Sequence, residues 1–294
     1  MMRYSNVNTP PRYTFHTSAV APKSLRTVED NAEVASRYSD IPRREFVKIP
    51  ASGTSPELNA YIVKPTPFDA SKKYPVIMYQ YSGPGSQEVR DRWTVDWENY
   101  YATQGYVIVC ADGRGTGYRG SEFRESVYRN LGNLETIDQL SAARYAASLP
   151  YVDPSRIGMF GWSYGGYETL MSVAAKGNPY KAAVAVAPVT DWRYYDTVYA
   201  ERYMLTPAQN EAGYRSSAPV NNIADMNSRL LIMHGTADDN VHFSNTVEYI
   251  SRLLAAGKFC DMFIFPNQNH SIRDCDMRLM VYSRMLDYFN QNLR

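Results

Sequence analysis

The stretch IGMFGWSYGGYETLMSVAA, residues 157–175, decides how this chain folds. It leads from a short apolar strand pattern over 157–160, through the Gly-x-Ser-x-Gly pattern of 161–165, into a helical pattern. Such a sharp strand-to-helix turn holds its serine in a strained backbone with the hydroxyl exposed. The helix N-terminus behind it also favours negative charge that develops nearby. This context predicts Ser163 as a nucleophile, although small residues also cluster in turns that are only structural.

Apolar segments and helical patterns alternate along the chain around this turn. Near-continuous apolar runs are typical of strands buried on both faces of a parallel sheet, and they occur at 76–81, 106–111, 157–160, 182–187, 230–234 and 262–265. The helices predicted between and after them span 92–104, 134–148, 164–175, 244–256 and 276–293. Ser244 is the predicted N-cap of the 244–256 helix. The pattern predicts an α/β fold with a mostly parallel, doubly wound sheet that is covered by helices on both faces.

A serine nucleophile needs a general base, and in α/β-hydrolases the chain order is serine, then Asp or Glu, then histidine. The chain has four histidines. His270 is the favoured base, because it lies in the loop directly after the last predicted strand. His234 is more simply interpreted as a satisfied strand-end residue. The acid is expected in the loop after the preceding strand, where Asp238 and Asp239 both qualify.

A second glycine pattern, Gly115-x-Gly117-x-x-Gly120, follows a strand and matches a dinucleotide-binding loop. That type of site requires a helix that begins at the glycines and an acidic residue about 20 positions later, after the next strand. The segment 118–129 is polar and aromatic without a clear helical start. We therefore expect a structural loop near the active site rather than a nucleotide site.

The composition excludes several classes of protein. Lys and Arg number 31 against 30 Asp and Glu, so the net charge of +1 provides no sequence-wide field for nucleic acid. Apolar runs such as 106–111 are far shorter than the roughly 18 residues that a membrane helix needs. No signal peptide is visible in the polar N-terminal residues. Three cysteines without a Cys-x-x-Cys spacing indicate no structural zinc, and we expect neither metal nor cofactor.

Three motifs are longer and more specific than the catalytic pattern alone. They are GWSYGGY at 161–167, HGTADDNVHF at 234–243 and NHSI at 269–272. Together they resemble the catalytic domain of the dipeptidyl peptidase IV family, in the prolyl oligopeptidase clan of serine peptidases. The resemblance runs from about residue 45 to the C-terminus and is nearest to the bacterial enzymes. It implies the α/β-hydrolase fold.

The resemblance assigns roles to five residues. Ser163 corresponds to the nucleophile, Asp238 to the acid that orients the base, and His270 to the general base. The family pairs a tyrosine hydroxyl with the backbone N–H after the nucleophile to form its oxyanion hole, and these groups match Tyr81 and Tyr164. Tyr81 ends a predicted strand beside a Gly-Pro turn, from which a side chain can reach over the sheet edge. Without the motif, a core strand residue would be the simpler interpretation.

The resemblance also implies a pocket for the residue before the cleaved bond, P1. A flat, ring-lined slot of this type accepts proline, and its members match Val189, Trp192, Tyr195, Tyr199 and Val241. Asn240 matches the amide that holds the P2 carbonyl, and Arg202 matches an arginine near the same substrate region. Taken alone, the Trp-x-x-Tyr-x-x-x-Tyr spacing is a helical aromatic stripe, which is more often part of a core.

These residues predict a serine exopeptidase that cleaves after proline or alanine near the N-terminus of peptides through an acyl-enzyme. The alternatives are a tripeptidyl or acylaminoacyl peptidase, an esterase of the same fold, or a catalytically silent fragment. In the family, a β-propeller precedes the hydrolase domain and carries two adjacent glutamates that hold the substrate amine. This chain contains no Glu-Glu pair, which leaves the length specificity open.

The resemblance divides the chain at about residue 40. Residues 1–40 resemble the end of an N-terminal β-propeller plus a linker, and residues 41–294 form the hydrolase domain. Helices 244–256 and 276–293 match those through which the family dimerises, although each must also cover the sheet. By resemblance to the full-length bacterial enzymes, we expect a periplasmic or cell-envelope location.

Overall fold

The computed structural model describes residues 1–274 and 276–294. The first of its two sheets is a small antiparallel one with the order β1-β2-β3, built from β1 (Met2–Asn6), β2 (Thr9–His16) and β3 (Ser24–Glu29). The sequence predicts strands at 13–17 and 25–29, which correspond to β2 and β3, but it does not predict β1. A short helix, α1 (Ala32–Arg37), follows. Whether this sheet is the end of a propeller stays a prediction.

The second sheet has eight strands in the order β11-β10-β9-β8-β6-β7-β5-β4. Its strands are β4 (Arg44–Ile49), β5 (Leu58–Val63), β6 (Tyr74–Tyr79), β7 (Val107–Asp112), β8 (Val152–Trp162), β9 (Ala182–Val186), β10 (Arg229–Gly235) and β11 (Asp261–Phe265). β4 pairs antiparallel with β5, and β5 pairs antiparallel with β7, whereas the pairs among β6 to β11 are all parallel. The sheet is therefore mostly parallel, as predicted.

Among the described residues, eight helices follow α1. They are α2 (Trp97–Thr103), α3 (Ser121–Glu125), α4 (Asn133–Ser148), α5 (Tyr164–Ala174), α6 (Thr197–Met204), α7 (Glu211–Ser216), α8 (Ser244–Ala255) and α9 (Met277–Leu293). Single 3₁₀ turns occur at Trp192–Tyr194 and Pro219–Asn221. None of the described helices has the length and apolar character needed to cross a membrane.

The helices cover both faces of the large sheet. Because strand side chains alternate between faces, Val76 and Met78 of β6 join one core cluster and Ile77 joins the other. The first cluster contains apolar residues of α4, α5 and α8, and the second contains residues of α2 and α9. The predicted doubly wound α/β-hydrolase fold is confirmed.

One predicted helix start and one predicted N-cap are wrong. The helix predicted from residue 92 begins at Trp97, because Asp96 caps it and Asn99 bonds back to the Asp96 N–H. Ser244 is the first residue of α8 rather than its N-cap, which is Phe243, and no side chain caps that end.

Candidate active site

The turn between β8 and α5 holds Ser163 in a conformation that few residues adopt. Its φ is +61°, and its N–H donates a hydrogen bond of 2.8 Å to the carbonyl oxygen of Val186. A Cβ atom on Gly161 would collide with the carbonyl oxygen of Gly165, and one on Gly165 would meet that of Gln80. The glycines therefore permit the close packing that keeps the strained serine in place.

Asp238 accepts hydrogen bonds on both carboxylate oxygens. Its Oδ2 lies 2.7 Å from Nδ1 of His270, and its Oδ1 accepts the backbone N–H groups of Asn240 at 3.0 Å and Val241 at 2.9 Å. Burial alone would raise the pKa of Asp238, but hydrogen bonds from His234 and His270 outweigh it and hold that pKa well below its usual range. The carboxylate is thus ionised and fixed against the imidazole of His270.

Asp239, the alternative acid, is exposed. Because both oxygens of Asp238 already have partners in the loop, the geometry favours Asp238 as the acid that orients His270.

His234 is a second imidazole on the same carboxylate. Its Nε2 lies 3.1 Å from Oδ2 of Asp238 and 2.8 Å from the carbonyl oxygen of Val241, and its Nδ1 lies 2.7 Å from the Thr246 hydroxyl. Because both neighbours of Nε2 are acceptors, the proton belongs on that nitrogen. His234 is a satisfied strand-end residue, as the sequence suggests, and it also anchors the acid.

Ser163 and His270 line one cavity together with Tyr81, Trp162 and Asn240. Among the described residues, the Ser163 hydroxyl forms no hydrogen bond with the His270 ring within 3.5 Å. Catalytic hydrogen bonds are often long in unliganded sites and shorten when substrate binds.

Tyr81 lies two residues beyond β6, over the turn that carries Ser163. Its ring centre is 6.1 Å from that of Tyr164, and a Cβ on Gly83 would lie 2.6 Å from its Cε1 atom. Burial raises the pKa of Tyr81, while its interaction with Ser163 acts in the opposite direction. The net shift is upward, so the phenol stays protonated and can donate.

The glycine loop at 115–120 supports the loop that follows Tyr81. Gly85 N–H donates to Gly115 O at 2.8 Å, and Gly117 N–H donates to Ser86 O at 2.8 Å. A helix does begin after Gly120, but α3 has only five residues. The loop thus holds the Tyr81 segment, which fits the predicted structural role.

The proposed P1 pocket residues form one aromatic cluster beside the nucleophile. Val189, Trp192 and Val241 are buried in it, and Tyr195 and Tyr199 pack against it. The Trp192 ring stacks on Tyr199 with centres 5.7 Å apart and meets Tyr195 edge-on at 5.9 Å. Tyr81 and Tyr164 belong to the same cluster. The rings therefore meet the oxyanion candidates, as a P1 pocket requires.

The helical stripe suggested by the Trp192, Tyr195 and Tyr199 spacing does not exist as one helix. Trp192 lies in a 3₁₀ turn that ends at Tyr195, and α6 starts afresh after Asp196, whose side chain accepts the Tyr199 N–H at 2.8 Å. The break turns the three rings toward one another.

The two polar residues that are predicted to bind substrate, Asn240 and Arg202, lie in different places. The Tyr195 hydroxyl donates to Oδ1 of Asn240 at 2.9 Å, which leaves the Asn240 NH₂ group to face a ligand. Arg202 is exposed and lines a separate cavity of about 360 Å³ with Pro84, Gly85 and Arg124. The structure brings Asn240, but not Arg202, to the cavity that contains Ser163.

Two buried carboxyl groups behind the site were not foreseen as part of it. Glu135 is fully buried, and its Oε1 accepts the Tyr164 hydroxyl at 2.9 Å. Glu168, also fully buried, accepts the hydroxyls of Thr136 and Ser172. Burial raises the pKa of Glu135 to about 7 and raises that of Glu168 well above its usual range. A helical Glu normally faces solvent, so no signal in the sequence points to this pair.

We expect Glu135→Gln to flatten the pH dependence of stability. The folded chain keeps this proton up to a pKa of about 7, whereas the unfolded chain releases it near 4.5. The contribution of this proton to the free energy of unfolding is therefore complete below about pH 4.5. The free energy of unfolding then falls by about 3 kcal/mol as the pH rises to about 7. Urea unfolding from pH 4.5 to 8 measures this loss in the wild-type chain. The loss should be smaller by about that amount in the variant, and unchanged in the exposed control Glu122→Gln. Parallel curves for Glu135→Gln and wild type would contradict the assignment.

In the part of the chain that the structure describes, no three His, Cys, Asp or Glu side chains come together in a group that could hold a metal ion. The site consists of a serine, a histidine that is held by a carboxylate, a tyrosine hydroxyl and an aromatic pocket. These groups suffice for acyl transfer through a serine ester.

Comparison with known proteins identifies the family of this chain. The profile of the prolyl oligopeptidase family matches residues 93–294. This chain belongs to the prolyl oligopeptidase family. It is 42% identical over 293 residues to a protein described as a probable dipeptidyl-aminopeptidase B of Metarhizium robertsii, which covers 97% of this chain and 32% of that relative. A relative of the same description from Ajellomyces capsulatus is 49% identical over 229 residues, covering 76% of this chain and 25% of the relative.

A solved structure extends the likeness to three dimensions. The crystal structure of Porphyromonas gingivalis dipeptidyl peptidase 4 is 47% identical, with a TM-score of 0.95, and the match covers 99% of this chain and 41% of that one. The resemblance to the dipeptidyl peptidase IV family is confirmed. The chain spans a quarter to a third of the length of these two relatives.

Proposed function

We propose that this chain is the catalytic part of a serine exopeptidase that removes dipeptides from the N-terminus of peptides with proline, or alanine, at P1. The observation that carries the proposal is the meeting of a strained Ser163, the Asp238–His270 pair and the ring cluster around Trp192 at one place. The family membership and the descriptions of the relatives support it.

The proposed mechanism assigns one task to each group. His270 takes the proton of Ser163 as its oxygen attacks the carbonyl carbon, and Asp238 stabilises the imidazolium that results. The Tyr81 hydroxyl and the Tyr164 N–H hold the oxyanion. Tyr164 is the first residue of α5, so its N–H has no acceptor within the helix. His270 then protonates the leaving amine, and water hydrolyses the acyl-enzyme.

The pocket supports the choice of proline. The rings of Trp192, Tyr195 and Tyr199 pack against one another, and an apolar aromatic surface of this kind accepts a flat pyrrolidine and disfavours a charged side chain through the cost of desolvation. In this proposal the Asn240 amide donates to the P2 carbonyl, and its hydrogen bond with the Tyr195 hydroxyl, which fixes the orientation of the amide, supports that role.

Hydrolysis of Gly-Pro-p-nitroanilide, beside its N-acetyl form and a Ser163→Ala control, tests the proposal. We expect the free-amine substrate to be cleaved and the acetylated one to be cleaved far more slowly. Equal cleavage of both would favour the alternative peptidases or an esterase without a length limit. No cleavage of either, with Ser163 unlabelled by a phosphonate, would favour a silent fragment.

We also propose a homodimer through α8, α9 and the edge strand β11. Large apolar side chains in this region are exposed, namely Val247, Leu254, Phe259, Met262, Ile264, Leu279 and Met280. Exposed apolar patches beside an unpaired strand edge are typical of association surfaces. Sedimentation should give a dimer that Leu254→Lys weakens and Val20→Lys, at an exposed position outside the patch, does not. A monomer at micromolar concentration would contradict the proposal.

A further inference from the structure

The cavity of about 360 Å³ that Ser163 and His270 line also contains groups for which the proposed mechanism has no use. In that mechanism, on which this inference rests, His270 hands its proton to the departing amine, so the leaving group lies beside its ring. Trp162 and Tyr282, which line the cavity, pack with the core cluster on the α9 side of the sheet and not with the rings of the P1 pocket. The side of the cavity formed by Trp162 and Tyr282 is therefore suited to the leaving group.

Of the described residues that line this cavity, Arg278 is the one that carries a permanent charge. Its guanidinium carbon lies 4.2 Å from the ring centre of Trp162 and 5.7 Å from that of Tyr282. One Nη1 donor bonds the carbonyl oxygen of Ser271 at 2.6 Å. The side chain also lowers the pKa of Tyr282 against the larger effect of burial. Stacking on two rings fixes the orientation of the planar fork.

The charge of Arg278 has no acidic partner in the part of the chain that the structure describes, where none of the ion pairs includes it. A guanidinium has five N–H donors, and the Ser271 carbonyl and the Tyr282 hydroxyl do not exhaust them. Arg278 is also the second residue of α9, a helix of 17 residues. A cation in the first turn is unfavourable beside the positive end of the helix dipole. An anion bound there would be stabilised by both the Arg278 guanidinium and the helix dipole.

We propose that Arg278 binds a carboxylate of the leaving group, and that the preferred substrates are therefore short peptides whose third residue carries a free α-carboxylate. An acidic side chain on the third residue would present the same group. The cavity of about 360 Å³ is of the size that holds small ligands. Arg278 is thus a specificity-determining residue for the leaving group.

Two matched pairs of substrates separate the sources of the carboxylate. Comparing the hydrolysis of Gly-Pro-Ala with that of its C-terminal amide tests recognition of the α-carboxylate. Comparing Gly-Pro-Asp-amide with Gly-Pro-Asn-amide tests recognition of an acidic side chain. A charge-assisted hydrogen bond of this kind corresponds to about a tenfold or larger difference in kcat/KM in favour of the acid. Equal values within both pairs would overturn the inference, and a difference in only one pair would identify the source.

Variants at Arg278 separate recognition from support of the His270 loop. Hydrolysis of Gly-Pro-p-nitroanilide, whose leaving group has no carboxylate, serves as the reference for each variant. Arg278→Gln should bring the acid-to-amide ratio close to one, Arg278→Lys should keep part of it, and Arg273→Gln, at an exposed arginine on the same loop, should keep it whole. A merely structural role would lower all rates together and leave the ratio unchanged, which would overturn the inference.

Failure of the proposed function would be visible as failure to cleave any of these substrates. In that case, calorimetry of Gly-Pro-Ala and its amide with the Ser163→Ala chain would still decide the question. Tighter binding of the acid, lost in Ser163→Ala/Arg278→Gln, would support carboxylate recognition. Equal binding, or none, would overturn it.

Discussion

Replacing Ser163 with alanine is expected to lower kcat for Gly-Pro-p-nitroanilide by about 10⁶-fold, to the level left by binding and the oxyanion donors. The expectation follows from the turn between β8 and α5, where φ is +61° at Ser163 and the Ser163 hydroxyl shares a cavity with His270. No other step of the proposed mechanism can proceed without the serine ester. Initial rates and covalent labelling by a phosphonate measure the loss.

The variant should fold as the wild-type chain does. Alanine in that strained position is no worse than serine, and the close contacts of the turn are made by Gly161 and Gly165. Ser155→Ala is the matched control, since Ser155 lies on the same strand β8 but is exposed and bonds only Asp153. If Ser163→Ala kept more than a small fraction of the activity while Ser155→Ala kept all of it, the nucleophile would have to be another residue.

The turn that carries Ser163 was predictable because its determinants are local. The strand, the glycines and the helix that surround Ser163 are contiguous, and each is forced by sterics that the sequence displays. His270 was predictable for a related reason, since loops at the carboxyl ends of parallel strands meet at one sheet edge. The choice of Asp238 over Asp239 depended on resemblance, because the direction of a side chain in a tight turn is set by backbone hydrogen bonds such as that of Val241.

What the sequence could not show are polar residues whose environment is formed by distant segments. Glu135 is on α4, and its partner Tyr164 is on α5, 29 positions later. Arg278 would be taken as a solvated helix residue, because its stacking on Trp162 joins segments that are far apart in the chain. The strand β1 was missed because its side chains are mostly exposed and give no alternating apolar pattern.

Tyr81→Phe is expected to lower kcat by about 10²–10³-fold with little change in KM, because an oxyanion donor acts on charge that appears only in the transition state. The variant removes one oxygen and keeps the ring, which Gly83 and Tyr164 hold in place. The raised pKa of Tyr81 keeps the hydroxyl protonated, so the loss should be the same from pH 6 to pH 8. Steady-state kinetics across that range provide the measurement.

A matched control lies at the start of β6, the strand that leads to Tyr81. Tyr74 begins β6, and its buried hydroxyl accepts the Asp69 N–H at 2.9 Å, so Tyr74→Phe removes a hydroxyl that serves only the fold. It should lower stability slightly and leave kcat unchanged. If Tyr81→Phe raised KM instead and left kcat intact, the hydroxyl would act in ground-state binding. The Tyr164 N–H would then be left as the sole proposed donor to the oxyanion.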